Sequence, residues 1–175
     1  MDVDHRFMGE ALAEASKALA QGEFPVGCVL VYRDRVLARG SRTGTSEGGR
    51  NELDHAEILA LRQLLRPGIV FEPAGVTAYC TLEPCLMCFS AIILAGIGNL
   101  VYAYEDVMGG GAACDRSQLK PLYRESGIGV RTGVRRPESL ALFKNFFSDP
   151  RRGYWRGSLL AEYTLGQQMP NSPQT

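Results

Sequence analysis

Two short segments constrain this chain more than anything else in it: His55-Ala56-Glu57, and Pro84-Cys85-Leu86-Met87-Cys88, which begins its cysteine pair 30 residues after His55. Cys85 and Cys88 are three apart, so one helical turn places both sulfurs on the same face. A helix start there would favour thiolate over thiol through the positive end of the dipole. His55 also falls at the start of a predicted helix. A fold that lets these two helix starts converge brings one imidazole and two thiolates onto one ion, and their charge cancels that of Zn²⁺. Cysteine and histidine are the ligand types zinc prefers.

His55, Cys85 and Cys88 make three ligands, one fewer than a closed structural site needs, and leave a position for water. Glu57 is not needed as a ligand. At the helix start its carboxylate would sit beside that water and act as a general acid/base. The matching electrophile is an amidine-like ring carbon bearing an exocyclic amine. A rival reading closes the site with a fourth thiol from Cys28, Cys80 or Cys114 and makes the metal purely structural. A third treats Cys85 and Cys88 as buried thiols and His55 as a capping residue.

The bulk numbers narrow the class. The 175 residues are 45% hydrophobic and 22% charged, as for a globular domain with its own core. Lys plus Arg and Asp plus Glu are 19 each, so no net charge draws the chain to nucleic acid. Residues 1–100 carry 9 basic and 12 acidic groups, and residues 101–175 carry 10 and 7. The bland meaning of that asymmetry is ordinary solvated faces. Asp2, Asp4 and Glu10 interrupt any signal-like apolar run, and no stretch approaches the ~20 apolar residues of a spanning helix. Five cysteines, two at metal spacing, suit a reducing compartment. A cytoplasmic protein without membrane association is expected.

Periodicity predicts a helix over 4–21, a hairpin of strands 26–32 and 36–40 turning at Arg33-Asp34, and a loop over 41–53. Asp54 is the expected N-cap of a helix from 55 to about 65. A strand over 76–81 leads to a helix over 85–95 with Pro84 in its first turn, then a strand over 100–104. The glycines at 109–111 read as a mobile loop; they lack the Lys and Ser/Thr of a P-loop. A short helix near 117–125, a strand near 128–132 and helices over 137–147 and 155–166 follow. The tail from Pro170 reads as disordered. Strands alternating with helices predict one α/β domain over 1–169, with helices 137–166 capping it.

Glu23-Phe24-Pro25-Val26-Gly27, His55 to Arg62, Thr81 to Cys88, and Ile97-Gly98 through Tyr104 together resemble the cytidine-deaminase-like superfamily. The likeness is to its branch of tRNA-adenosine deaminases and free-base purine deaminases, and it covers roughly residues 5–115. It implies a three-layer α/β/α sandwich with a five-stranded mixed sheet, one zinc ion per chain and a homodimer. It also implies that Pro25 and Val26 wall a base pocket, that the Ala56 backbone contacts the base, and that Leu82 and Glu83 lie beside the ring. Plain core packing is the alternative for each of these.

The chain departs from the tRNA-enzyme pattern in three places. Arg42 stands where those enzymes have an Asn. Leu53-Asp54 precedes the histidine in place of small or hydroxyl residues. Arg151-Arg152-Gly153-Tyr154-Trp155-Arg156 and an apolar run replace a strongly basic final helix. Asp54 is either a helix cap or a hydrogen-bond acceptor at the pocket edge. The Tyr154-Trp155 segment either closes a pocket over a small base or, with Arg135-Arg136 and Arg151-Arg152, forms a local RNA surface. These departures favour a hydrolytic deaminase of a free nucleobase, nucleoside or related amino-heterocycle. The alternative is an adenosine in a tRNA anticodon loop, and a zinc-stabilised binding module without turnover is a further one.

Overall fold

In a computed structural model, residues 2–46 and 51–168 are described. The first helix, α1 (Val3–Ala20), buries Phe7, Met8, Ala11, Leu12, Ala15 and Ala18 along one stripe. Strands β1 (Gly27–Tyr32) and β2 (Arg35–Ser41) form the expected hairpin. Arg33 and Asp34 both take positive φ, 48° and 58°, which matches the right-handed twist of the paired strands. Helix α2 (Ala56–Leu64), strand β3 (Val76–Leu82), helix α3 (Leu86–Leu94) and strand β4 (Asn99–Tyr104) follow. Then come α4 (Pro121–Arg124), β5 (Gly129–Thr132), α5 (Arg136–Ser148) and α6 (Leu159–Gly166).

The strands make a single mixed sheet in the order β2-β1-β3-β4-β5. β1 runs antiparallel to β2 and β3, whereas β3, β4 and β5 are mutually parallel. Side chains alternate across it. Cys28, Leu30, Ala78, Cys80, Leu100 and Tyr102 join a core with Ala56, Ala60, Leu61 and Leu64 of α2 and Phe89, Ile92 and Ile93 of α3. Val29, Val31, Tyr79, Val101 and Ala103 face the other way, onto Phe7, Met8, Ala11 and Leu12 of α1. Both faces are covered, which is why β1, β3 and β4 read as near-continuous apolar runs.

Several boundaries differ from the sequence expectation, for local reasons. His55, not Asp54, occupies the N-cap of α2, and Asp54 makes no cap bond there. Pro84 lies one residue before the N-cap Cys85 rather than in the first turn of α3. The last helix starts at Leu159, because Ser158 caps it by accepting from the Ala161 N–H. Tyr154 and Trp155 therefore sit in the turn before that helix, and Trp155 takes φ 54°. The expected disordered tail from Pro170 lies outside the described residues.

One close approach sets the position of α2. A Cβ at Gly40 of β2 would lie 1.9 Å from the Ala56 carbonyl oxygen and 2.9 Å from the Ala60 nitrogen. Only a bare backbone lets the first turn of α2 come down onto the strand. Gly40→Ala is therefore expected to destabilise the fold by about 1–3 kcal/mol through overpacking. Urea unfolding of the variant checks this; an unchanged midpoint would show that α2 is free to move.

Candidate zinc and base site

The C-terminal end of β3 feeds directly into α3, and the loop after β2 feeds into α2. This arrangement points the starts of two helices at each other. His55 and Cys85 are the N-cap residues, with extended backbones (φ −67°, ψ 154° and φ −63°, ψ 169°), and neither side chain caps its own helix. They turn to one another instead. The His55 Nδ1 lies 3.6 Å from Cys85 Sγ and 3.4 Å from Cys88 Sγ. All three candidate ligand atoms fall within 4.8 Å of one another. Tetrahedral zinc, with bonds of about 2.3 Å to sulfur and about 2.0 Å to nitrogen, needs N···S separations of about 3.5 Å. His55, Cys85 and Cys88 are positioned to hold that ion.

The fourth-thiol alternative loses its candidates. Cys28 and Cys80 face each other across β1 and β3, fully buried, with sulfurs 3.7 Å apart. Cys114 is exposed and directs its thiol at the Gly110 carbonyl. Among the described residues, only His55, Cys85 and Cys88 form a metal-competent group.

The groups of the cluster perturb one another strongly. The hydrogen bond from Cys88, helped by His55, pulls the Cys85 thiol down to about 4. The same contact with Cys85, together with burial and the nearby Glu57 charge, pushes Cys88 up. His55 is raised, chiefly by its hydrogen bond to Cys85, against the effect of burial. Glu57 is raised by desolvation; the residue is only 3% exposed. No group among the described residues hydrogen-bonds its Oε2, although that atom is buried. An unpaired buried carboxylate oxygen costs on the order of 1–3 kcal/mol.

A cavity of about 180 Å³ opens on these groups. Of the sequence-derived substrate residues, Val26, Arg42, Leu82 and Glu83 line it beside His55, Glu57 and Cys85. Ala56 and Asp54 do not. The Asp54 carboxylate accepts from Arg62 Nη1 and Asn51 Nδ2, both at 2.7 Å, so it serves neither as the cap nor as the acceptor at the pocket edge. Arg42 is 2% exposed. Its guanidinium donates to the carbonyls of Thr43, Asn51 (2.8 Å) and Asp54 (3.1 Å) and pairs with Glu52 (3.1 Å). It braces the loop that delivers His55.

Glu83 has a similar tie. Its carboxylate accepts from the Ala113 N–H (2.9 Å) and the Asp106 N–H (3.3 Å). The Gly111 N–H donates to the Pro84 carbonyl at 2.9 Å. A Cβ at Gly111 would lie 2.6 Å from Leu86 Cα, and one at Gly110 would lie 2.5 Å from Glu83 Cδ. The three-glycine segment expected to be mobile is therefore pressed against the start of α3. Gly110 and Gly111 provide close packing there, whereas Gly109 faces only the Asp106 carboxylate. Phe24, Glu52, Asp106 and Leu160 also line the cavity. Phe24 lay within a recognised motif, but no sequence signal marked Glu52.

The fold and the ligand set define a zinc-binding domain of the deaminase type. The family model for the cytidine and deoxycytidylate deaminase zinc-binding region matches residues 1–104, and the chain belongs to that family of zinc-dependent hydrolases. The tRNA-specific adenosine deaminase of Bacillus subtilis (strain 168) is 31% identical over 152 residues, which are 87% of this chain and 93% of that protein. The tRNA(Ile)-lysidine synthase of Thermus thermophilus is 42% identical over 146 residues; these are 83% of this chain but only 25% of that longer protein. Among solved structures, one from work on A-to-I editing by tRNA:A34 deaminases at the wobble position of transfer RNA aligns at TM-score 0.66. It is 37% identical and covers 78% of this chain and 98% of that one. NE0047 in complex with 2,6-diaminopurine aligns at TM-score 0.62 and 26% identity, covering 82% and 80%.

The purified chain is expected to carry one zinc ion by atomic absorption. Cys85→Ala is expected to lower zinc affinity by at least an order of magnitude. Full zinc retention in both Cys85→Ala and Cys88→Ala would refute this ligand set.

Proposed function

We propose that this chain is a zinc-dependent hydrolytic deaminase that replaces the exocyclic amine of an adenine base with oxygen and releases ammonia. The observation that carries the chemistry is Glu57: buried, desolvated, with a free oxygen at the wall of the cavity that His55 and Cys85 share. Zinc on the three ligands would supply activated water and electrophilic assistance. Glu57 would take one proton from the attacking water and give it to the ring nitrogen next to the amine-bearing carbon, while the water oxygen bonds to that carbon. Glu57 would then carry the remaining hydroxyl proton to the amine nitrogen as the C–N bond breaks. One water is consumed and one ammonia leaves. The raised Glu57 carboxyl suits a group that must both accept and return a proton.

The substrate we favour is an adenosine presented by RNA, as in a tRNA anticodon loop. The collinear similarity to the Bacillus subtilis enzyme supports it. So does a broad cleft of about 950 Å³ that shares Glu52, Tyr154 and Trp155 with the smaller cavity and is flanked by Arg151 and Arg152. Arg135 and Arg136 do not line it; they pair with Glu138 and Glu105. Arg42 favours a second reading, turnover of a free base or nucleoside, because its donors hold loop carbonyls where the tRNA enzymes have an Asn.

Ammonia release decides between them. An anticodon stem-loop carrying the target adenosine is expected to turn over, with free adenine, guanine, cytosine and their nucleosides far slower. Glu57→Gln is expected to lose at least 100-fold in kcat while keeping zinc. Turnover of free bases with none of the stem-loop would establish the second reading, and a fully active Glu57→Gln would end both.

Exposed apolar side chains on α3 (Leu86, Leu94) and at the end of α2 (Leu65) support a homodimer. Light scattering is expected to give twice the 19.1 kDa chain mass; a monomer at micromolar concentration would refute this.

Among the described residues, no helix is long and apolar enough to cross a membrane.

A further inference from the structure

We infer that Trp155 is a stacking platform for the nucleotide next to the target adenosine, so that the turn before α6 forms a second nucleotide subsite. The inference rests on the RNA reading above. Trp155 is the chain's one tryptophan and stays 43% exposed at the junction between cavity and cleft. Its backbone takes φ 54°, a conformation that bulky residues seldom adopt and that costs on the order of 1 kcal/mol or more. A small or polar residue would fit that turn with less strain and expose less apolar surface.

The platform is braced from behind. Trp155 meets the Tyr154 ring edge-on, with centroids 5.6 Å apart at 86°. The Tyr154 ring packs on Phe24 at 5.3 Å, and its hydroxyl donates to Glu52 Oε2 at 2.9 Å. Glu52 is in turn held by Arg42, which braces the loop leading to His55. The indole is thereby tied to the residues that place the metal ligand, which fixes the distance between the two subsites. The surroundings carry the charge a phosphate needs. Asp149 is the one anion of the 149–156 segment, against Arg151, Arg152 and Arg156. Arg151 and Arg152 share Asp149, at 2.9 and 3.3 Å. Every base has a π face, so such a platform accepts a neighbour with little sequence preference.

The experiment is a double-mutant cycle on the zinc-loaded protein. Trp155→Ala is combined with stem-loops that are abasic at the 5′ or the 3′ neighbour of the target adenosine. Trp155→Ala is expected to raise KM for the intact stem-loop roughly 5- to 150-fold, the range for a lost stacked base. Trp155→Tyr is expected to restore most of it. One of the two abasic RNAs is expected to cost wild type a similar factor and to cost Trp155→Ala little more. Binding of the intact stem-loop is also expected to quench the fluorescence of the lone tryptophan in wild type. Additive losses with both abasic RNAs, or unchanged fluorescence when anisotropy of a labelled stem-loop shows saturation, would overturn the subsite and leave the RNA reading standing. A stem-loop that neither binds nor turns over would overturn both.

Discussion

The site depends on two helix starts meeting end to end beside the C-terminal edge of a strand. Nothing about a histidine and two cysteines makes them converge; the sheet does that. β3 is antiparallel to one neighbour and parallel to the other, so the chain leaving it must cross over, and α3 is that crossover. Crevices at the C-terminal ends of parallel strands, where the strand order switches, are where open α/β sheets place their ligands. Here the crevice receives α2 from the opposite side of the strand order. Its approach to the sheet is fixed by the bare backbone of Gly40. The result brings two thiols, an imidazole and a desolvated carboxylate together with few partners of their own. That arrangement is unfavourable unless a cation completes it.

Much of this was legible in the sequence because the strongest signals are periodic or chemical. The stripe of α1, the hairpin and the apolar strands follow from alternation and spacing. The ligand set follows from residue type. What the sequence hid were the places where a side chain acts at long range. Arg42 lines the cavity, as its place in the sequence suggested, but it is also a brace, because a buried guanidinium must find carbonyls and the loop ending at Asp54 offers them. Asp54 looked like a cap; it pairs instead with Arg62, about two turns along α2, and the cap position passes to a metal ligand. The triple glycine looked slack, since glycine marks freedom and close contact alike. Only the neighbouring Glu83 and Leu86 decide between them.

The same economy runs through the cavity wall. Arg42 and Glu83 line the cavity, yet their polar atoms are occupied in holding loops. The buried Glu57 Oε2, by contrast, has no hydrogen-bond partner among the described residues.

The loop after β2 carries a consequence of its own. Glu23 grips its near end: Oε2 accepts from the Thr45 N–H (2.6 Å) and hydroxyl (2.5 Å), and Oε1 accepts from the Ser46 hydroxyl (2.7 Å). Burial alone would raise that carboxyl, but these hydrogen bonds outweigh it and keep it low. Arg42 grips the far end through Asn51 and Asp54, and the Asn51 N–H closes onto the Gly44 carbonyl at 2.9 Å. Gly44 and Asn51 are thereby held against each other, and the run of chain from Asn51 into the ligand histidine starts from an anchored point.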